Sequence, residues 1–322
     1  MNTLRPHSET VLNTLSVEEF YQLREVPPEA EWFANLDNAN TRRAYQNDVR
    51  EFMSFLNLQG AEQLRSVVRS HIIIWRNHLQ QRGASSATIR RKMAAISSLY
   101  KYLAENNSIL LSPVDGVKRP TVDSLEGKTP ALSDQDARAL LCSPDRCQLA
   151  GKRDYAILST LLYHALRREE LCRLTVKDIQ ERRGVKHLRI HGKGSKIRYI
   201  PAHPDSLEAI DDYLTHAGHG QDKDGALFRP FKNNRTGDLN KALSTDAIWR
   251  LVRQYAQQAH ITLSERLAPH ALRATAATNA LEHEADITKV QHFLGHANIS
   301  TTRIYDRRDM RPADSPVWRI KY

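Results

Sequence analysis

The sequence lacks long hydrophobic runs. Of its 322 residues 40% are hydrophobic, but the apolar stretch at residues 72–75 is interrupted at once by Arg76. A helix needs about 20 consecutive apolar residues to cross a bilayer. The first ten residues also lack the charged region and apolar segment of a secretory signal peptide. We therefore expect no membrane span and a location in the cytoplasm.

Cysteine is scarce, and the usual metal-binding spacings do not occur. Cys142, Cys147 and Cys172 form neither an even-numbered disulfide framework nor a CxxC pair, which is typical of a reducing compartment. The 14 histidines are scattered and include no HExxH motif. The sequence thus predicts neither a disulfide scaffold nor a metal site.

Charge is what the sequence has in excess. Lysine and arginine number 47 against 37 aspartate and glutamate, which gives a net charge of +10. Residues 41–120 hold 13 of the basic and 5 of the acidic residues, so most of the excess lies in one quarter of the chain. A concentrated basic excess favours a polyanionic partner. The length favours two domains.

The N-terminal half has a helical period. Tyr45, Val49, Phe52 and Leu56 are spaced by 4, 3 and 4 residues, and further helices are predicted for residues 69–82 and from residue 85 onward. We interpret residues 1–29 as an extension, 30–118 as a helical domain, and the Pro- and Gly-containing stretch 119–130 as a linker. The basic residues expected to contact the polyanion lie off the apolar stripes: Arg42, Arg43, Arg90, Arg91 and Lys92.

The C-terminal half adds a β signal to a helical background. Residues 187–191 and 196–200 are strand-like and flank a turn at 192–195. Helices are predicted for 154–171, 206–216, 246–258, 270–282 and 286–294, with another beginning near 133. The predicted fold is mainly α with a small antiparallel β-sheet.

Short segments of this half place polar residues where apolar ones would otherwise be expected. Taken alone, each has an ordinary explanation, such as a solvated turn or a helix cap. Together they form an inventory for phosphodiester chemistry, because guanidinium groups bind phosphate oxygens, lysine and histidine move protons, and a tyrosine hydroxyl can attack phosphorus. In chain order the set is Arg167, Glu170, Lys193, His270, Arg273, His296 and Tyr305.

The order and spacing of this set resemble the tyrosine recombinase (phage integrase) family, and its Xer-type members over about residues 30–306. The resemblance implies a helical SAM-like core-binding domain over 30–118 and an α+β catalytic domain over 131–308, which form a clamp round DNA. The tail 309–322 alternates like a strand at its end. It is then either a frayed terminus or a strand added to a neighbouring protomer.

The resemblance also implies the residues that hold the phosphate. Arg167 and Arg273 would be the two arginines that bind its oxygens, and His296 would donate to a non-bridging oxygen. Glu170 would orient Arg167 or a nearby histidine. These donors would stabilise the charge that builds on phosphorus in the transition state.

Three further residues would move protons or attack. Tyr305 is the implied nucleophile, His270 its general base or proton relay, and Lys193 the donor to the departing 5′ oxygen.

The sequence departs from the family where His164 and Ala165 replace Thr-Gly before Arg167, which implies altered backbone packing there. Ala274 likewise stands where relatives often have histidine.

The resemblance implies double-stranded DNA with paired sites as partner, a homotetramer on that DNA, and chemistry without metal or ATP in the bacterial nucleoid. Two alternatives stay open at this stage. One is a related strand transferase, of the topoisomerase IB or telomere resolvase kind, which would relax plasmids that lack a specific site. The other is a catalytically silent DNA-binding regulator, which would bind tightly without a covalent adduct.

Overall fold

The computed structural model describes residues 26–121, 129–192, 196–233, 236–262, 267–306 and 316–320. The chain divides into two compact units, Met1–Asp123 and Ser124–Tyr322, and the division falls inside the stretch predicted as a linker. Among the described residues no helix is long and apolar enough to cross a membrane. The clamp arrangement concerns both units together and stays a prediction.

In the described part of the first unit, all regular secondary structure is helical. Asn38 and Ser85 cap two of the helices, since their side chains accept hydrogen bonds from the backbone N–H groups of the first turn. A 3₁₀ helix, Ala61–Ser66, lies between the second and third α-helices. The α-helices are α1 (Pro28–Ala34), α2 (Ala39–Phe55), α3 (Arg69–Gln81) and α4 (Ser86–Glu105).

The core of this unit is built around α4, which packs against α1, α2 and α3. Phe52 and Trp75 meet edge to face with ring centroids 4.9 Å apart, a favoured aromatic geometry. The buried Tyr100 hydroxyl donates to the Leu64 carbonyl at 2.9 Å, so its polar end is satisfied. α1 begins two residues before the predicted domain boundary and buries Trp32 in this core.

One of the basic residues is not where the pattern placed it. Lys92 is buried on α4, and its ammonium group donates to the carboxylates of Asp48 and Glu51 on α2. The prediction that Lys92 lies off the buried stripe is therefore wrong. The reason is that the carboxylates of the buried Asp48 and the half-buried Glu51 neutralise the charge of the lysine.

In the second unit, the buried helix Leu149–His164 is surrounded by other helices and a small sheet. The sheet is antiparallel, in the order β1-β2-β3, with Leu188 opposite Ile179 and Ile200. This confirms the predicted fold class. The strands are β1 (Ile179–Arg182), β2 (Val185–His191) and β3 (Ile197–Pro201). The helices are α5 (Asp134–Cys142), α6 (Leu149–His164), α7 (Arg168–Cys172), α8 (Pro204–Ala217), α9 (Thr245–Gln258), α10 (Pro269–Glu282), α11 (Ile287–Leu294) and α12 (Ser300–Arg303).

The single helix predicted for residues 154–171 is wrong. α6 ends at His164, Ala165 takes the left-handed conformation with φ 51°, and α7 starts at Arg168. The apolar period continues through the break, so periodicity does not reveal it. The break is held by polar contacts, because the Ala165 carbonyl accepts from Arg273 and the Arg167 N–H donates to Glu170.

Two further differences concern strands. β1 was not predicted, because its residues Gln180, Glu181 and Arg182 are polar on both faces. At the other end of the chain the strand-like pattern is a 3₁₀ turn at Pro316–Arg319. A strand needs a partner for its backbone N–H and C=O groups, and the alternation of apolar residues does not supply one.

Candidate active site

The site is built where α7, β3, α10 and the segments after α11 and α12 meet. Glu170 on α7 is buried, and it binds Arg167 in two ways: Oε2 accepts the Arg167 backbone N–H at 2.8 Å and Oε1 accepts from its Nη1 at 2.8 Å. These contacts fix the side chain of Arg167 over the first turn of α7. Arg167 remains 43% exposed, so its guanidinium is accessible from solvent.

A second arginine binds the same carboxylate. Arg198 on β3 binds the Glu170 carboxylate with both terminal nitrogens, Nη1 to Oε1 at 2.9 Å and Nη2 to Oε2 at 2.8 Å. Burial alone would raise the pKa of Glu170. The hydrogen bonds from Arg198 and from the Arg167 backbone outweigh burial and lower that pKa to about 2. Glu170 is therefore a carboxylate at neutral pH.

Arg273 on α10 is completely buried. Its Nη1 donates to the Ala165 carbonyl, and its Nη2 donates to the Leu294 carbonyl at 2.6 Å. Within the described part of the chain its Nε has no hydrogen-bond partner. Burial and the charge of Arg167 lower the pKa of Arg273 to about 10, so the group still carries its positive charge at pH 7.

His296 follows α11 and contacts Arg273 directly. Arg273 Nη2 lies 3.1 Å from His296 Nε2, and His296 Nδ1 lies 3.0 Å from the hydroxyl oxygen of the buried Thr302. An arginine can only donate, so Nε2 accepts and the ring proton sits on Nδ1, facing Thr302. Burial and the nearby positive charges, Arg273 first, lower the pKa of His296 to about 4.

Tyr305 is buried beside these groups. Its hydroxyl lies 3.5 Å from Nε2 of His270, and its ring stacks on His296 with centroids 6.1 Å apart. The Thr278 hydroxyl donates to the Tyr305 carbonyl at 3.2 Å and ties this residue to α10. Loss of hydration, together with the charges of Arg273 and Arg167, lowers the pKa of His270, so His270 is neutral at pH 7.

Lys193 lies outside the described residues, so its position stays a prediction. The base of its hairpin is described: Gly192 N–H donates to the Lys196 carbonyl at 2.7 Å. On β2 the side chain of His191 lies 3.2 Å from the buried carboxylate of Asp178. These contacts fix where the hairpin leaves the sheet.

The structure thus brings six of the seven predicted residues into one cluster. The seventh, Lys193, lies outside the described residues. Sequence reasoning missed Arg198 and Thr302. Thr302 had one usable signal, since it lies three residues before Tyr305 and six after His296. Arg198 had none, because an arginine in a strand-like run is usually read as a solvent-facing residue.

The basic residues of the first unit that were expected to contact DNA differ in exposure and in their contacts within the protein. Arg43 is exposed, and so is Arg90, whose Nη1 donates to the Pro120 carbonyl at 3.2 Å. Arg42 donates to the Leu36 carbonyl and Arg91 pairs with the buried Asp48, although each remains partly or fully exposed. Lys92 is buried in its ion pairs. For the remaining four, contact with DNA stays a prediction.

Comparison with known proteins identifies the family. Residues 131–311 match the phage integrase family, and residues 36–107 match the N-terminal SAM-like domain of phage integrases. The chain belongs to the phage integrase family of tyrosine recombinases. It is 33% identical to tyrosine recombinase XerC of Pelobacter propionicus over 83% of this chain and 84% of that one. It is 31% identical to tyrosine recombinase XerD of Listeria monocytogenes, over 83% and 88%.

Solved structures agree on the fold of this tyrosine recombinase. The integrase of transposon Tn1549 in complex with circular intermediate DNA matches with a TM-score of 0.65 and 18% identity, over 91% of this chain and 99% of that one. A lambda integrase dimer bound to a core site matches with a TM-score of 0.63 and 15% identity, over 92% and 98%. The family and its fold make the chain a site-specific recombinase, an enzyme that transfers DNA strands.

Proposed function

We propose that this recombinase binds duplex DNA at paired sites and cuts and rejoins it through a phosphotyrosine on Tyr305. The observation that supports this is the convergence of a buried tyrosine, two neutral histidines and arginines on one cluster. The similarity to recombinases solved with DNA supports DNA as the partner.

The proposed first step is attack of the Tyr305 oxygen on a backbone phosphorus. A phenol with an ordinary pKa of about 10 needs help to ionise at pH 7. His270 is neutral, and its Nε2 faces the hydroxyl at 3.5 Å, so it can take the proton. The new bond joins the phenolic oxygen to phosphorus, and the bond from phosphorus to the 5′ oxygen breaks. In this proposal Lys193 gives the proton to that oxygen.

The arginines and His296 bind the charge that builds on the phosphate. Arg167 is the accessible guanidinium, and Arg273 adds a fixed positive charge behind it. An anion beside His296 raises the pKa of the imidazole, because the charged form is then favoured. The protonated ring donates from Nε2, which in this structure accepts from Arg273. Preorganised donors of this kind are each worth roughly 10²- to 10³-fold in rate.

The product is a 3′-phosphotyrosine ester, which preserves the energy of the broken bond. A 5′ hydroxyl from a second duplex can therefore reverse the attack and rejoin strands without ATP. The acid, base and cationic groups needed for each step are side chains of this chain, so the proposal requires no metal. We further propose that four copies act on paired sites in the bacterial nucleoid, through a Holliday junction.

In the proposed complex the exposed arginines of the first unit contact DNA phosphates. Arg43, Arg90 and Arg91 have exposed side chains, and the half-buried Arg42 lies beside Arg43 on α2. Phosphate contacts set register and affinity but carry little sequence information.

The test is covalent capture. The chain is expressed in bacteria, cells are lysed in SDS, and DNA that stays attached to the protein is sequenced. A synthetic nicked duplex of the recovered sequence is then mixed with purified protein. We expect an SDS-resistant adduct with wild type and none with Tyr305→Phe, although both bind the duplex equally.

Three outcomes would contradict the proposal. Binding without an adduct would indicate a silent regulator. Relaxation of plasmids that lack the recovered sequence would indicate a topoisomerase. An adduct that persists in Tyr305→Phe would mean that another residue is the nucleophile.

A further inference from the structure

The core-facing side of β3 carries a charged residue. Arg198 pairs in the sheet with the buried Ile190 and shares its face with the buried Ile200. The residues that alternate with it, Ile197 and Tyr199, are 51% and 39% exposed. The strand therefore exposes two apolar side chains and turns an arginine inward. Burying a guanidinium is costly unless it is paired, so its partners indicate what it does.

The contacts of Arg198 commit both of its terminal nitrogens to one carboxylate. Both terminal nitrogens bind the Glu170 carboxylate, at 2.9 and 2.8 Å. Its Nε is buried and has no hydrogen-bond partner among the described residues. Gly295, directly before His296, packs on the other side: a Cβ there would lie 3.2 Å from Cδ of Arg198 and 3.4 Å from Nε. Arg198 is enclosed between the segment that carries Arg167 and the segment that carries His296.

The charges explain why such a group is needed. Glu170 is a buried carboxylate that also accepts from Arg167. Without Arg198, the accessible guanidinium of Arg167 would be the nearest charge left to neutralise it. Arg198 binds the Glu170 carboxylate with both terminal nitrogens and neutralises its charge, so the positive charge of Arg167 stays available to a phosphate.

We propose that Arg198 is a positioning residue of the strand-transfer reaction, which neutralises Glu170 and so keeps Arg167 oriented and available to the scissile phosphate. This rests on the proposed function, because it presumes that Arg167 binds the phosphate. Arg198 itself does not touch the DNA.

The first test compares Arg198→Lys and Arg198→Met with wild type on the nicked duplex of the captured sequence. At saturating protein we expect adduct formation to slow by roughly 10- to 100-fold, below the loss from removing a direct phosphate donor. The Kd for the duplex should change less than about threefold, since phosphate contacts elsewhere dominate affinity. An unchanged adduct rate in both variants would overturn the proposal.

The matched control is Arg153→Lys. Arg153 also pairs with a largely buried carboxylate, that of its neighbour Asp154, and is itself largely buried. It lies near the start of α6, 12 residues before Ala165, which is about 18 Å along a helix. We expect this variant to form the adduct at the wild-type rate. A loss equal to that of Arg198→Lys would show that any disturbed ion pair slows the reaction.

A second variant separates positioning from mere damage. In Glu170→Gln/Arg198→Met no buried carboxylate remains to draw Arg167 away, and the amide oxygen that replaces the carboxylate can still accept a hydrogen bond from Arg167. We expect the double variant to form adduct at least as fast as Arg198→Met alone. Structural damage would instead accumulate, so a double variant slower than Arg198→Met would overturn the proposal.

A third readout follows pH and does not depend on whether the methionine variant folds. In Arg198→Lys an ammonium group replaces the bidentate guanidinium, so the pKa of Glu170 should rise. The pKa of the Glu170 carboxyl, followed by NMR titration, should be higher in this variant than in wild type or Arg153→Lys. An unchanged pKa of Glu170 would overturn the proposal.

The two proposals fail in distinguishable ways. If wild type forms no adduct with any captured or nicked duplex, the proposed function fails. If wild type forms the adduct, and the Arg198 variants match it in adduct rate and in the pKa of Glu170, the function stands and only the positioning role is wrong.

Discussion

The buried carboxylate of Glu170 gives the most quantitative prediction. Glu170→Gln keeps the size of the side chain but removes its charge, which leaves Arg198 buried without an anion. The pKa of Glu170 falls from the ordinary 4.5 to about 2. At about 1.4 kcal/mol for each pH unit, this corresponds to roughly 3 kcal/mol in favour of the charged folded form. Breaking a buried ion pair on one side costs a similar 3–5 kcal/mol.

The pH dependence of this loss follows from the sign of the shift. Because the folded pKa lies below the unfolded one, the stabilisation is complete above about pH 4.5 and is lost as the pH falls toward 2. Wild type and Glu170→Gln should therefore differ by about 3 kcal/mol at pH 7. The difference should be constant down to about pH 5 and narrow steadily below it.

The assay is amide hydrogen exchange followed by mass spectrometry, because the chain has two units and their unfolding need not coincide. Peptides from α6 and β3 report the free energy of opening of the catalytic unit alone. The control is Glu169→Gln, at the exposed neighbouring position, which should change it by less than about 0.5 kcal/mol. A difference below about 1 kcal/mol at pH 7, or one that persists undiminished at pH 3, would refute the reasoning.

Three further predictions address other parts of the chain. Lys92→Met should destabilise the first unit by about 3 kcal/mol, which hydrogen exchange in α2 would report as faster exchange. The control Arg90→Ala, at an exposed position, should change the stability of that unit by less than about 0.5 kcal/mol. Equal effects of the two substitutions would contradict the buried ion pair. The single-turnover adduct rate should fall to half of its plateau value only below pH 6.5, because His270 must be neutral and its pKa is lowered from the ordinary 6.5. A midpoint at or above pH 6.5 would contradict this. Thr302→Val removes the oxygen that receives the ring proton of His296, so it should slow adduct formation about tenfold. The control is Thr301→Val at the exposed neighbouring position. An equal loss of rate in the control would show that only the packing of α12 matters.

Much of the fold was predictable because periodicity and caps are local signals. The helix starts after Ser85, Ser133 and Asp286 follow from side chains that cap the first turn. The strands on both sides of the hairpin at 192–195 follow from residue type and turn chemistry. The family motif then selected the candidate site residues.

What escaped prediction depends on partners distant in sequence. The break at Ala165 is held by Arg273, 108 residues away, while the apolar period continues across it. Lys92 has the composition of a surface residue, and only Asp48 and Glu51 on another helix make its burial tolerable.

The inward side chain of β3 is the sharpest case. Alternation by itself favours Ile197 and Tyr199 as the buried pair, since both are apolar. The structure takes the opposite alternation because Glu170 provides a buried partner for Arg198. A one-residue change of face reverses every side chain of a strand, and only the tertiary partner decides between the two.

The most direct test of the central claim is the mass of the covalent product. The SDS-resistant adduct is digested with nuclease and protease, and the peptide that contains Tyr305 is analysed by tandem mass spectrometry. The account predicts a nucleotide joined through its 3′ phosphate to the Tyr305 oxygen. A nucleotide on any other residue, or an unmodified Tyr305 in protein bound to its cleaved site, would contradict it.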